Sequence, residues 1–204
     1  MATLNFIRGT VRGKLGQFVG SSWKGKSYIK TFTKPGNPKT ADQVAVRTVF
    51  YRVSAVAKAI YEAVLKPYTF PKPRKMTAYN RMIQANRPMF EAKEWNPAAL
   101  KIFDGPLANG GIDSVSLAVN DVDFTFITDG GDDDTAIAVV YAEDAGAAFF
   151  AEGKRIDGTI RVSIAALDTG MRDNLHAYLV FAREPVPGTA EKGQVSGTAY
   201  YKIN

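Results

Sequence analysis

The groups in this chain best suited to chemistry are cations and aromatic rings. From position 8 to 35 it reads RGTVRGKLGQFVGSSWKGKSYIKTFTKP, where Arg8, Arg12, Lys14, Lys24, Lys26 and Lys30 are interleaved with Trp23, Tyr28 and Phe32. Guanidinium and ammonium groups attract phosphate or carboxylate, and rings offer stacking or anchoring area, so the pattern suits contact with an anionic partner. Arg47, Arg52 and Lys58 follow in a helical stretch, and Arg74 and Lys75 in a proline-rich one. These eleven cations are the candidate partner or phosphate contacts, with Trp23, Tyr28 and Phe32 as interface anchors.

Groups for bond-making chemistry are sparse. Cysteine is absent, which removes disulfides, thiolate zinc sites and cysteine nucleophiles. His176, the single histidine, opens a β-prone run and reads as structural, and no Gly-x-Ser-x-Gly elbow is present. Gly20 and Gly25-Lys26-Ser27 have the spacing of a phosphate-binding loop. Such a loop must open a helix, however, and SYIKTFT reads as a strand. DGGDDD (129–134) gathers Asp129, Asp132, Asp133 and Asp134 without the spacing of an EF-hand, so it reads as an exposed acidic turn rather than a calcium site. The residues predict a non-enzymatic protein with no catalytic residue, no metal ligand set and no cofactor.

A ribbon and a helix must position the cations. β-Prone runs at 17–23 and 26–33 flank Lys24-Gly25, a tight-turn pair. Alternation puts Tyr28, Lys30 and Phe32 on one face and Ile29 and Thr31 on the other. A hairpin of this size lacks a core and must pack on its own helix or on another subunit. Thr40 and Gln43 are spaced as a capping box, and Asp42 suits the positive end of a helix dipole. The helix so begun is expected to run to Lys66, where Pro67 stops it. Val46, Val49, Val53, Val56, Ile60 and Val64 recur at intervals of three and four and form one apolar stripe, with Arg47, Arg52, Lys58 and Lys66 on the opposite arc. KPYTFPKPRKM (66–76) reads as an extended basic linker. Thr77 can cap a second helix over 78–87, ended by Pro88, while Phe90 and Trp95 read as core or interface anchors.

The second half carries short β-prone runs, among them VDFTFIT, TAIAVVYAE, GTIRVSIAA and LHAYLVFAR, spaced by Asp, Gly and Pro. The predicted class is α+β: an N-terminal β-hairpin plus helices, then an antiparallel immunoglobulin- or fibronectin-like sandwich. Charge is split the same way. Residues 1–104 hold 19 Lys+Arg against 5 Asp+Glu, or +14, and residues 105–204 hold 7 against 15, or −8, giving the overall +6. The expected domains are a basic docking unit, 1–104, and an acidic sandwich, 105–204, divided near FDGPLANGGIDS (103–114). No apolar run reaches signal-peptide length or the roughly 18–20 residues of a membrane span, so the expected location is the cytoplasm or a virion, without membrane contact.

GKLGQFVGSSWKGKSYIKTFTKPGNPKTADQVAVRTVF resembles the N-terminal signature of an uncharacterised bacterial family: Gly-Lys-x-Gly, Ser-x-Trp-Lys-Gly, then Asn-Pro-Lys-Thr followed by Gln and Arg. DDTAIAVVY, LHAYLVFA and VSGTAYYKI are similar to its C-terminal sandwich. The NPKT element is also similar to one in small proteins among phage and prophage structural genes. The resemblance implies a non-enzymatic virion or prophage-linked component, partnered by other particle proteins and by itself. The alternatives are sequence-nonspecific nucleic-acid binding by the basic half, or a sandwich that recognises glycans or a host surface.

Overall fold

The computed structural model describes residues 3–5, 10–23, 25–34, 36, 39–68, 76–131, 133–185 and 193–203. The chain is α+β and divides into two compact units, Met1–Thr40 and Ala41–Asn204. The division expected near 104 is therefore not where the chain parts. Helices and strands on either side of that position share one core.

The smaller unit is an antiparallel ribbon in chain order: β1 (Thr3–Asn5), β2 (Thr10–Leu15), β3 (Phe18–Trp23) and β4 (Lys26–Thr31).

The larger unit opens with α1 (Ala41–Ala59), whose first residue directly follows Thr40. Val49, Val53, Val56, Ile60 and Val64 are buried, as the stripe requires. The α-helix is shorter than expected because Tyr61–Leu65 form a π-helical turn. There the Ile60 carbonyl accepts from the amides of both Val64 and Leu65, at 2.9 and 3.1 Å. The added residue turns Val64 and Leu65 inward together. Pro67 does not end the path at once: it lies within the short α2 (Lys66–Tyr68), which continues directly from the π-helical turn, the Lys66 amide donating to the Tyr61 carbonyl. Thr77 caps α3 (Ala78–Ala85) as expected, its hydroxyl accepting from the Asn80 amide at 3.2 Å. Pro88 starts rather than stops a helix: it occupies the first turn of α4 (Arg87–Ala92), and Asn86 ends α3.

Eight strands follow: β5 (Ile112–Leu117), β6 (Asp121–Phe126), β7 (Thr135–Ala142), β8 (Ala147–Lys154), β9 (Thr159–Ser163), β10 (Leu175–Arg183), β11 (Gln194–Val195) and β12 (Ala199–Ile203). One sheet has the order β11-β10-β7-β8, with β12 on the same edge of β10 as β11; the other is β5-β6-β9. Ile137, Val139, Tyr141, Tyr178 and Val180 of the larger sheet pack against the helices. Ala138, Val140, Leu179 and Phe181 point the other way, onto Val122, Phe124, Ile160 and Val162 of the smaller sheet. The larger sheet is thus covered on both faces, giving a helix–sheet–sheet stack. Each large side chain buried there contributes about 1.5–3 kcal/mol.

The acidic loop 129–134 is not simply an exposed turn. Asp134 is fully buried and accepts from Arg183 Nε at 2.7 Å, Arg183 Nη2 at 3.1 Å and Arg155 Nη1 at 3.4 Å. Arg155, 1% exposed, also donates to Ala108 O at 2.8 Å and to Asp129 Oδ1 at 2.9 Å, and lies 4.0 Å over the Phe181 ring. A Cβ on Gly130 would fall 2.2 Å from the Arg155 guanidinium carbon, so glycine is what lets the loop lie on the arginine. Asp132 lies outside the described residues.

Candidate functional site

In the ribbon, register decides which side chains meet. β3 and β4 pair Val19 with Lys30, Ser21 with Tyr28 and Trp23 with Lys26, and β2 pairs Lys14 with Val19. Cross-strand partners share a face. Lys14, Trp23, Lys26, Tyr28 and Lys30 therefore stand on one side, and Phe32 joins them at the same parity, with the Lys14 ammonium 4.0 Å from its ring centroid. The β3–β4 turn holds Gly25 at φ 79°, a value only glycine adopts freely. The segment with phosphate-loop spacing is thus a hairpin: Gly20 lies in β3, and Lys26 and Ser27 in β4.

The rings stay open to solvent: Trp23 is 68% exposed, and Tyr28 and Phe32 44% each. The reverse side carries Leu15, Phe18 and Ile29, all more than half exposed. Gly13, at φ 97°, interrupts the alternation in β2, and Arg12 beyond it reaches the Ser22 hydroxyl at 3.3 Å. The ribbon thus has one cationic–aromatic face and one apolar face. Moving the boundary to Thr40 sharpens the charge contrast. Residues 1–40 hold 8 Lys+Arg and no acid, or +8; residues 41–204 hold the other 18 and all 20 Asp+Glu, or −2.

The remaining candidate cations divide. Arg8, Lys24, Arg74 and Lys75 lie outside the described residues. Arg47 and Lys58 are exposed on α1, in the other unit. Arg52 is committed elsewhere: it pairs with Glu143 and stacks over the Trp95 ring at 5.8 Å between centres.

No family model, curated protein or solved structure matches the chain.

Glu143 is a residue that reading the sequence passed over. One carboxylate oxygen takes Arg52; the other accepts from Trp95 Nε1 at 3.1 Å and faces His176 Nε2 at 3.2 Å. His176 Nδ1 lies 3.1 Å from the Tyr200 hydroxyl. With Nε2 donating to the carboxylate, Nδ1 accepts from tyrosine and every partner is used. Burial lowers the His176 pKa, opposed by Glu143, and burial raises that of Tyr200. Both shifts favour neutral forms, and a hydroxyl held protonated is poor nucleophile material. The cluster ties α1, Trp95, β10 and β12 together. Its signal in the sequence was weak, because the five residues span positions 52 to 200 and only the fold assembles them.

Among the described residues no group of three or more His, Asp or Glu is arranged to hold a metal ion. Among them, too, no helix is long and apolar enough to cross a membrane.

Proposed function

We propose that this protein is a non-enzymatic structural or accessory component of a phage or prophage particle, associated with capsid, connector or tail, that docks through its basic N-terminal ribbon. The observation carrying this reading is the ribbon itself: a four-stranded unit in which Leu15, Phe18, Trp23, Tyr28, Ile29 and Phe32 are exposed, on both faces. A sheet that leaves such residues in water gains little from folding alone, and its apolar side supplies the area a partner would cover. The resemblance of the NPKT element to phage-linked proteins supplies the setting, a virion or the cytoplasm in which it assembles. Within this reading, the paired antiparallel sheets of residues 112–203 are an immunoglobulin-like sandwich with a helical layer added on one outer face. The partners are other particle proteins and further copies of this chain.

A stable interface needs more than roughly 1,000 Å² of buried surface. Size-exclusion chromatography with light scattering, at low and high salt, tests it. A discrete homo-oligomer that Leu15→Ser, Phe18→Ser and Ile29→Ser disperse supports docking by the ribbon. An assembly indifferent to those changes, or a monomer that co-sediments with no particle fraction, would sink it.

A further inference from the structure

The apolar side of the ribbon accounts for docking on protein, but it leaves the opposite side unused. We propose that the face built from Lys14, Trp23, Lys26, Tyr28, Lys30 and Phe32 binds single-stranded nucleic acid without sequence preference. This rests on the reading that the other face docks on protein, and it assigns the ribbon a second, outward role.

Three observations point to this occupant. The first is charge: residues 1–40 contain eight cations and no carboxylate, so nothing within that stretch neutralises them. The second is alternation, since Lys26, Tyr28 and Lys30 lie two residues apart on β4, with Trp23 directly opposite Lys26. Along a strand, two residues advance about 6.6–6.8 Å, so ammonium and ring alternate at a step that lets a chain of phosphates and bases lie alongside. The third is presentation. The three rings are 44–68% exposed; the Lys14 ammonium takes one face of Phe32 at 4.0 Å, which leaves Trp23 and Tyr28 as the principal stacking rings.

A sheet presenting open rings favours unpaired bases, which stack on any π-face, over duplex, whose bases are already stacked. An acidic protein surface would satisfy the lysines but gives no reason for three open rings among them. Phosphate contact makes binding salt-dependent, and stacking makes it tolerant of sequence.

Fluorescence anisotropy of the full chain with a labelled 20-nucleotide oligothymidine, its duplex counterpart and labelled polyglutamate is the test. The single strand is expected to bind tightest. Trp23→Ala and Tyr28→Ala are each expected to weaken it about tenfold, while Trp23→Phe retains most affinity. Replacing Lys14, Lys26 and Lys30 by alanine should flatten the log–log salt slope by about 2. The proposal is overturned by absence of single-strand binding at low salt, by ring variants that bind like the parent, or by equal binding of duplex or polyglutamate. Dispersal of the oligomer by the Leu15, Phe18 and Ile29 changes is read separately, so docking can stand while nucleic-acid binding falls.

Discussion

The two units solve the same problem in opposite ways. In residues 41–204 the larger sheet is covered on both faces, and even its charges are absorbed: Asp134 and Arg155 are buried against each other and Arg183. In the ribbon, strands of similar length leave leucine, phenylalanine, isoleucine and tryptophan open. Apolar area contributes to stability only when it leaves water, so the same residue types act as core in one unit and as unspent surface in the other. Substitutions in the larger unit should register as lost stability. In the ribbon they should register as lost association.

The largest effect is expected at Asp134. Asp134→Ala removes the buried carboxylate that Arg155 and Arg183 share, leaving the buried Arg155 with only the exposed Asp129 as counter-charge, and should cost about 3–5 kcal/mol in urea unfolding. A loss below about 1 kcal/mol would mean that the charges inside this unit behave like those on a surface. Next comes Gly130→Ala, whose methyl must displace the Arg155 guanidinium and should cost about 1–3 kcal/mol in the same measurement.

A smaller effect is expected in the pH dependence of stability. His176 is lowered by burial, with Glu143 and Asp144 opposing and Lys202 reinforcing the shift. The unfolded chain therefore takes up this proton first. Stability from His176 is complete above about pH 6.5 and is lost as pH falls through the lower folded value. His176→Gln should unfold with a flatter dependence between pH 7 and 5 than the parent; an unchanged slope would break the assignment.

The smallest effect belongs to the ribbon. Trp23→Ala should change the stability of the larger unit by no more than a surface change does, about 0.5 kcal/mol, and a chain starting at Lys39 should melt with the parent's midpoint. A lower midpoint for that chain would show that the ribbon stabilises the rest.

Much of this was legible in the residues. The valine stripe, the Thr77 cap, the β-runs and the facing of Tyr28, Lys30 and Phe32 follow from periodicity and turn chemistry, which act over a few residues. What failed involved partners far away in the chain. Arg52 reads as an open cation until Glu143 is brought beside it, and DGGDDD reads as a solvated turn until Arg155 and Arg183 fill its underside. Pro88 reads as a stop because proline both ends helices and begins them, and only Asn86 decides which. Asn86 is buried, and its side chain bonds the Met82 and Lys101 carbonyls and the Lys101 amide. The boundary near 104 rests on the charge split and on the Gly, Pro, Asn and Asp cluster of 103–114, neither of which specifies which cores merge. A better clue lies in AIAVVYA and AYLVFA: unbroken apolar runs in place of alternation mark strands covered on both faces.

The order in which β10 acquires its neighbours has a consequence during synthesis. β7, the helices and the strands β5, β6 and β9 precede it on the ribosome, so one edge and both faces have partners waiting. Its other edge is closed by β11 and β12, which are made afterwards. For the roughly 20 residues between Arg183 and Ile203, about one to four seconds of translation, a strand that ends up buried along nearly its whole length has an open edge. That interval is when the nascent chain is most exposed to mispairing with a copy of itself on a neighbouring ribosome.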